Sequence, residues 1–145
     1  MLKSKVIVIT GGAGLIGQEL VRAIVEQNGT AIIADIDVKN GEQINTQLSQ
    51  KLKSNCIDFV NLDITSKESI SECIANVNAK YKRIDALVNN AYPRNKNYGS
   101  HFFDVEYDDF VENVGMNLGG YILTSQMFAK FFQKQGYGNI VNISS

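Results

Sequence analysis

Gly11, Gly12, Gly14 and Gly17 follow directly on an apolar, mostly β-branched run, Val6-Ile-Val-Ile9, and directly precede an amphipathic stretch. Such a run reads as a strand buried on both faces, as in a parallel sheet. A turn without Cβ atoms lets backbone amides come close to a bound anion, and the next helix adds the positive end of its dipole. Gly12-Ala-Gly-Leu-Ile-Gly17 has the G-x-G-x-x-G spacing, in the strand–turn–helix setting that holds a dinucleotide pyrophosphate. Glycines also make plain tight corners; here the setting favours the dinucleotide. Asp35 ends the next apolar run about 20 residues further on, where a carboxylate accepts from both hydroxyls of a ribose. It would repel a 2′-phosphate, and neither Ile36 nor the glycine turn supplies a positive charge, so NAD is favoured over NADP. The ordinary alternative is a strand-end turn residue, with Asp37 as a second candidate.

Holding these residues in place requires an alternating chain. Ile16, Leu20, Ile24 and Val25 recur at helical spacing up to Asn28-Gly29, a helix stop. Residues 31–34 form a second buried strand, and Ile44, Leu48 and Leu52 are one stripe of a second helix. A third strand over residues 56–61 leads into Leu62-Asp63-Ile64. Thr65-Ser-Lys-Glu68 has the form of a capping box, with Ile70, Ile74, Val77 and Tyr81 on one face behind it. A fourth strand, residues 84–88, runs into Asn89-Asn90-Ala91, and a polar loop follows over residues 92–100. Residues 107–135 form the longest helical segment, with Phe110, Val114, Leu118, Tyr121, Ile122, Phe128 and Phe132 turned inward. Gly136 and Gly138 end it before a fifth strand at residues 139–143. Strands alternating with helices over short connections predict one α/β domain over residues 1–145, a doubly wound parallel sheet of order 3-2-1-4-5. Its ligand belongs at the switch point, beyond the strand C-termini.

Composition bounds the function. Of 145 residues 44% are apolar, with 12 Gly and one Pro, enough for one real core. Lys plus Arg is 14 against 15 Asp plus Glu, which advertises no nucleic-acid surface. No apolar run approaches a bilayer span, and the first strand begins too early to leave room for a signal peptide. Cys56, read in the third strand, and Cys73, on a helix face, lack metal spacing and are expected as reduced thiols of a cytoplasmic protein. No metal site is expected.

Taken together, Thr10-Gly-Gly-Ala-Gly-Leu-Ile-Gly17, Asp35, Asp63-Ile-Thr65, Asn89-Asn-Ala91, Asn117 and Ile140-Val-Asn-Ile-Ser-Ser145 resemble the short-chain dehydrogenase/reductase family along the whole chain. The resemblance implies a Rossmann fold and NAD(P)-dependent hydride transfer, with a Tyr acid/base, a Lys lowering its pKa, a Ser and an Asn. It assigns cofactor contacts to Thr10, Gly11, Gly14, Leu15, Ile16, Gly17, Asp35, Asp63, Ile64, Asn89 and Ala91. Asp63 and the Ile64 amide would meet the adenine. Ser145 would polarise the substrate carbonyl, with Ser144 as fallback, and Asn117 would distort its helix and hold a water of a proton relay. The T-G-x-x-G-x-x-G spacing resembles the extended branch, sugar-nucleotide epimerases and dehydratases; Asn-Asn-Ala, Asn117 and Ile-Ser-Ser resemble the compact reductases, which we weight more. Tyr92, followed by Pro93, stands where the family usually has glycine after Asn-Asn-Ala, which implies bulk near the nicotinamide and substrate.

The family's Tyr-x-x-x-Lys is expected roughly a dozen residues past the Ser, and proton transfer needs it. The chain therefore reads as the N-terminal portion of a longer reductase, inactive alone. The leading function is an NAD-dependent oxidoreductase of a small, sugar-derived alcohol or ketone, assembled as a homodimer or homotetramer. A non-catalytic NAD-binding sensor or scaffold is the rival class, and an extended-branch enzyme a third reading. Tyr92, Arg94, Lys96 and Tyr98 crowd the loop after strand four, either as a solvated loop or with Arg94 on an anionic substrate group. Asn-Ala-Tyr-Pro-Arg is similar to reductases linked with flagellin or surface-sugar modification.

Overall fold

Val6–Thr10 (β1) offers no polar side chain that must face water, and every one of its residues is buried at the middle of the sheet in this computed structural model, which describes residues 1–144. Thr30–Asp35 (β2) and Ile57–Asn61 (β3) lie on one side of it, Ala86–Asn89 (β4) and Asn139–Asn142 (β5) on the other. The order is β3-β2-β1-β4-β5, as expected, and all neighbouring strands are parallel.

Because successive side chains alternate across a strand, β1 feeds two cores. Ile7 and Ile9 pack with Val21, Ile24, Ile44 and Leu48 from Leu15–Glu26 (α1) and Val38–Leu52 (α2). Val6 and Val8 pack on the opposite face with Ile70, Cys73 and Val77 of Lys67–Tyr81 (α3), and with Phe128 and Phe132. Ile9, Ile32 and Ile33 are at most 1% exposed, each contributing about 1.5–3 kcal/mol by burial. Helices on both faces leave ligands the carboxyl edge, where Thr10, Asp35, Asn61 and Asn89 end their strands.

Several boundaries differ from the sequence reading. Cys56 lies just before β3 and is exposed, because pairing with β2 begins at Ala31↔Ile57. Ile84 and Asp85 precede β4; the Asp85 carboxylate is a hub, accepting from Val6 N–H at 2.9 Å and Lys5 Nζ at 3.1 Å and pairing with Arg83. The cap of α3 is Ser66 rather than Thr65, its Oγ accepting from Ser69 N–H at 3.2 Å. Thr65 is instead drawn to Asp63, donating to Oδ1 from both its N–H and its hydroxyl at 2.8 and 2.7 Å.

The long helical segment is continuous but not uniform. It runs from Tyr107–Val114 (α4) through a widened π turn, Gly115–Gly119, into Gly120–Gln135 (α5). Only the later part enters the core, with Phe128 and Phe132 buried. Phe110, Val114, Leu118 and Ile122, expected inward, stand 58%, 41%, 60% and 61% exposed. Helical periodicity reports an apolar face, not what covers it.

Candidate nucleotide and substrate cleft

At the carboxyl edge β1 runs into a turn built on contacts a side chain would prevent. Gly11 has φ +63°, and a Cβ there would come 2.8 Å from Ala91 Cα; at Gly17 a Cβ would overlap the Gly11 carbonyl. Close approach of Gly11 to Ala91 joins the glycine turn to the segment after β4. Thr10 strengthens that joint: its Oγ1 accepts from Asn90 N–H and Ala91 N–H, both at 3.0 Å. Asn90 Nδ2 donates back to the Thr10 and Gly11 carbonyls at 3.1 and 3.2 Å. These bonds satisfy strand-end groups that would otherwise be buried without partners.

The result is a cleft of about 480 Å³, within the range of small-molecule sites. Gly11, Gly14, Leu15, Ile16, Asp35, Asp63, Ile64 and Ala91 all lie on its wall, so most of the residues singled out in the sequence converge there. Thr10, Gly17 and Asn89 do not; they hold the wall from behind. Asn89 is fully buried, and its Nδ2 donates to Ser125 Oγ at 2.9 Å and Asn142 Oδ1 at 2.8 Å, tying β4 to α5 and β5. Ser144 is exposed beyond β5. Ser145 lies outside the described residues.

The wall suits an anion flanked by a sugar. Gly14 caps α1 with no side-chain acceptor, so the first-turn amides of the helix are left for a ligand. Asp35 is held rather than free: its Oδ2 accepts from Ala13 N–H at 3.1 Å and its Oδ1 from Asp37 N–H at 3.2 Å. Each oxygen keeps acceptor capacity for a further donor. Asp63 is braced through Thr65, and its own N–H donates to Ser69 Oγ at 2.9 Å.

Asn117 sits in the π turn, consistent with the expected distortion. Its Nδ2 donates to the Asn113 carbonyl and to the Pro93 carbonyl, both at 2.9 Å. By taking the carbonyl four residues back, the side chain competes with the backbone ladder, which loosens the turn. Its Oδ1 is buried with no hydrogen-bond partner among the described residues. Gly120 lets the helix pass close to the cleft, since a Cβ there would meet Ile64 Cδ1 at 2.6 Å.

Asn89 and Asn90 were read in the sequence as a segment that steadies the sheet; Asn95 and Asn113 were not singled out, and an isolated asparagine gives no signal that separates a strut from an ordinary polar residue. Tyr92 and Lys96 have Tyr-x-x-x-Lys spacing, but that spacing aligns two side chains only on a helix. Here the segment is irregular loop, and the Tyr92 hydroxyl meets the Tyr98 hydroxyl at 3.2 Å, a bond that raises the Tyr92 phenol above its usual pKa.

Sheet order, glycine turn and a cleft at the switch point define a doubly wound α/β domain of the dinucleotide-binding type. A family model for short chain dehydrogenases matches residues 5–145, and the chain belongs to that family. It is 41% identical to a post-translational flagellin modification protein A of Campylobacter coli, over 100% of this chain and 57% of that protein. It is 33% identical to a 7α-hydroxysteroid dehydrogenase of Bacteroides fragilis, over 99% of this chain and 54% of that protein. A solved NADPH-dependent 3-quinuclidinone reductase from Rhodotorula rubra matches with a TM-score of 0.83 at 26% identity, over 99% of this chain and 53% of that one. The chain thus spans about half the length of the curated relatives it matches. Neither the sensor nor the extended-branch reading gains support from these relatives.

Proposed function

We propose that the cleft binds NAD and that the protein is an NAD-dependent oxidoreductase of a small alcohol or ketone. The observation that carries this is Asp35: a carboxylate bonded into the glycine turn at Ala13 N–H while facing the cleft. In this reading the α1 N-terminus receives the pyrophosphate, Asp35 accepts from the adenosine ribose hydroxyls, and Asp63 with Ile64 borders the adenine. Ala91 backs the nicotinamide half. When bound, the nicotinamide supplies a hydride acceptor or donor. One solved neighbour is described as NADPH-dependent, so the choice of NAD rests on the Asp35 charge, which disfavours a 2′-phosphate.

Asn117 Oδ1, buried and without a partner among the described residues, is the acceptor for a water that passes a proton on. Ser145 is the group that polarises the substrate carbonyl. We read the substrate as sugar-derived, a reading carried by the similarity of Asn-Ala-Tyr-Pro-Arg to reductases linked with flagellin or surface-sugar modification and supported by the 41% identity to a flagellin modification protein. We also place the protein in the cytoplasm, where Cys56 and Cys73 stay reduced, as a homodimer or homotetramer. Among the described residues no helix is long and apolar enough to cross a membrane.

Titration with NADH, followed by its fluorescence and by displacement with NAD, tests the reading. Saturable binding reversed by NAD is expected; binding that NAD cannot displace would contradict it.

A further inference from the structure

Arg94 lies on the cleft wall after β4, whereas Asp35 and Asp63 come from the β2 and β3 side of the sheet, and it is the only cationic side chain among the described residues lining that wall. Its guanidinium carbon sits 5.2 Å from the Tyr92 ring centroid and 4.8 Å from that of Tyr98. The two rings stand nearly perpendicular, 82° apart with centroids at 5.8 Å. Stacking on aromatic faces engages the plane of a guanidinium and leaves its N–H edges to donate. Among the described residues no carboxylate pairs with Arg94, whereas the other two arginines, Arg22 and Arg83, each have one.

The loop that carries Arg94 is pinned on both sides. Pro93 is held through its carbonyl by Asn117 Nδ2. Asn95 and Asn113 bond reciprocally, Asn95 N–H to Asn113 Oδ1 at 3.1 Å and Asn113 Nδ2 to Asn95 Oδ1 at 3.0 Å. Asn95 Nδ2 then donates to Asp109 at 2.7 Å and Glu112 at 2.8 Å. Asn97 Nδ2 also donates to Asp109, at 2.9 Å to each carboxylate oxygen. Asp109, Asn113 and Asn117 succeed one another at four-residue spacing, so one helical face rivets the loop. An arginine fixed by its backbone and stacked by two rings needs little further ordering to bind, which is how affinity is gained by pre-organisation.

We propose that Arg94 recognises an oxyanion, a carboxylate or a phosphate, carried by the substrate of this cleft. The proposal rests on the oxidoreductase reading, and it narrows the substrate to an alcohol or ketone bearing such a group. Arg94 holds that group through two parallel N–H donors, while Tyr92 and Tyr98 keep the fork facing the cleft. Asn95 and Asn113 are positioning residues.

Arginine side-chain NMR of the protein reads Arg94 directly. Sodium phosphate and, separately, sodium acetate are titrated in at ionic strength held constant with chloride. The Arg94 Nε–H resonance should move saturably with at least one of them, and the anion that saturates identifies the group; Arg83, paired with Asp85, should not move. By calorimetry Arg94→Gln should weaken that anion by at least about ten-fold, and Arg94→Lys, which keeps the charge without the fork, should recover only part of it. NAD should bind Arg94→Gln within about two-fold of the wild type. No saturation with either anion overturns the proposal. So does a ten-fold or greater loss of NAD affinity in Arg94→Gln, which would assign the guanidinium to the cofactor pyrophosphate. Saturation of Arg94 by an anion in a protein that does not bind NAD supports the anion site and overturns the nucleotide reading instead.

Discussion

The two cysteines share a chemistry and differ in surroundings. Burial pushes the Cys73 thiol up to about 12, because a thiolate in the α3 core would be left without water. Cys56 is exposed ahead of β3. A chromogenic disulfide reagent should therefore titrate one thiol in the native protein and a second only on unfolding. Rapid modification of both under native conditions would contradict the packing of α3. At Gly11 the constraint is backbone rather than solvent: φ +63° and the contact with Ala91 both oppose a side chain. Gly11→Ala should cost more than about 1 kcal/mol in urea unfolding, since two backbone segments must separate. A change within a few tenths would show that the turn gives way freely. The glycine turn and Asp35 were legible because their spacing has one main physical use. The clamp role of Thr10 was not, since a strand-end threonine looks the same whether it binds a ligand or the next strand.

At the scale of elements, the amino end of the sheet is held by Asp85 and the carboxyl end by the asparagine contacts. Partial burial works against the Asp85 charge, but Arg83, the Val6 N–H and Lys5 outweigh it and hold the carboxyl below its usual pKa. With the folded-state pKa depressed, the stabilisation is complete above the unfolded value of about 3.9 and is lost as pH falls through the folded value. Asp85→Asn should cost about 1.5–3 kcal/mol at neutral pH and progressively less toward acid, measured by urea unfolding at several pH values. An equal difference at every pH would contradict the ion-pair account. At the π turn, Asn117→Ala removes both amide bonds and should cost about 1–2 kcal/mol while loosening the loop after β4, seen as faster amide exchange there. Unchanged exchange would mean that the loop is held by other contacts. β1 and β2 were readable from sequence because burial on two faces leaves unbroken apolar runs. The asparagine contacts were not, because residues 95 and 113 carry no periodic signal.

For the whole molecule, Phe110, Val114, Leu118 and Ile122 recur every fourth residue along α4, the π turn and α5 as an exposed apolar stripe. A second copy presenting the same stripe would cover it through a two-fold contact. Sedimentation should find a dimer or tetramer, and Leu118→Glu should shift it to smaller species. A wild-type monomer at micromolar concentration would contradict this assembly. The helix was legible, and the family resemblance implies that it packs on a partner's counterpart; which of its apolar residues the chain's own core would cover was not, since the same pattern serves a core and an interface. The central claim remains the cleft and its carboxylate, and affinity for NAD and NADP before and after Asp35→Ala tests it most directly. Calorimetry should show NAD bound more tightly than NADP by the wild type, with Asp35→Ala losing about 1.5–3 kcal/mol of NAD affinity and most of the preference. Equal binding of the two dinucleotides by the wild type, or an Asp35→Ala variant that binds NAD unchanged, would contradict it.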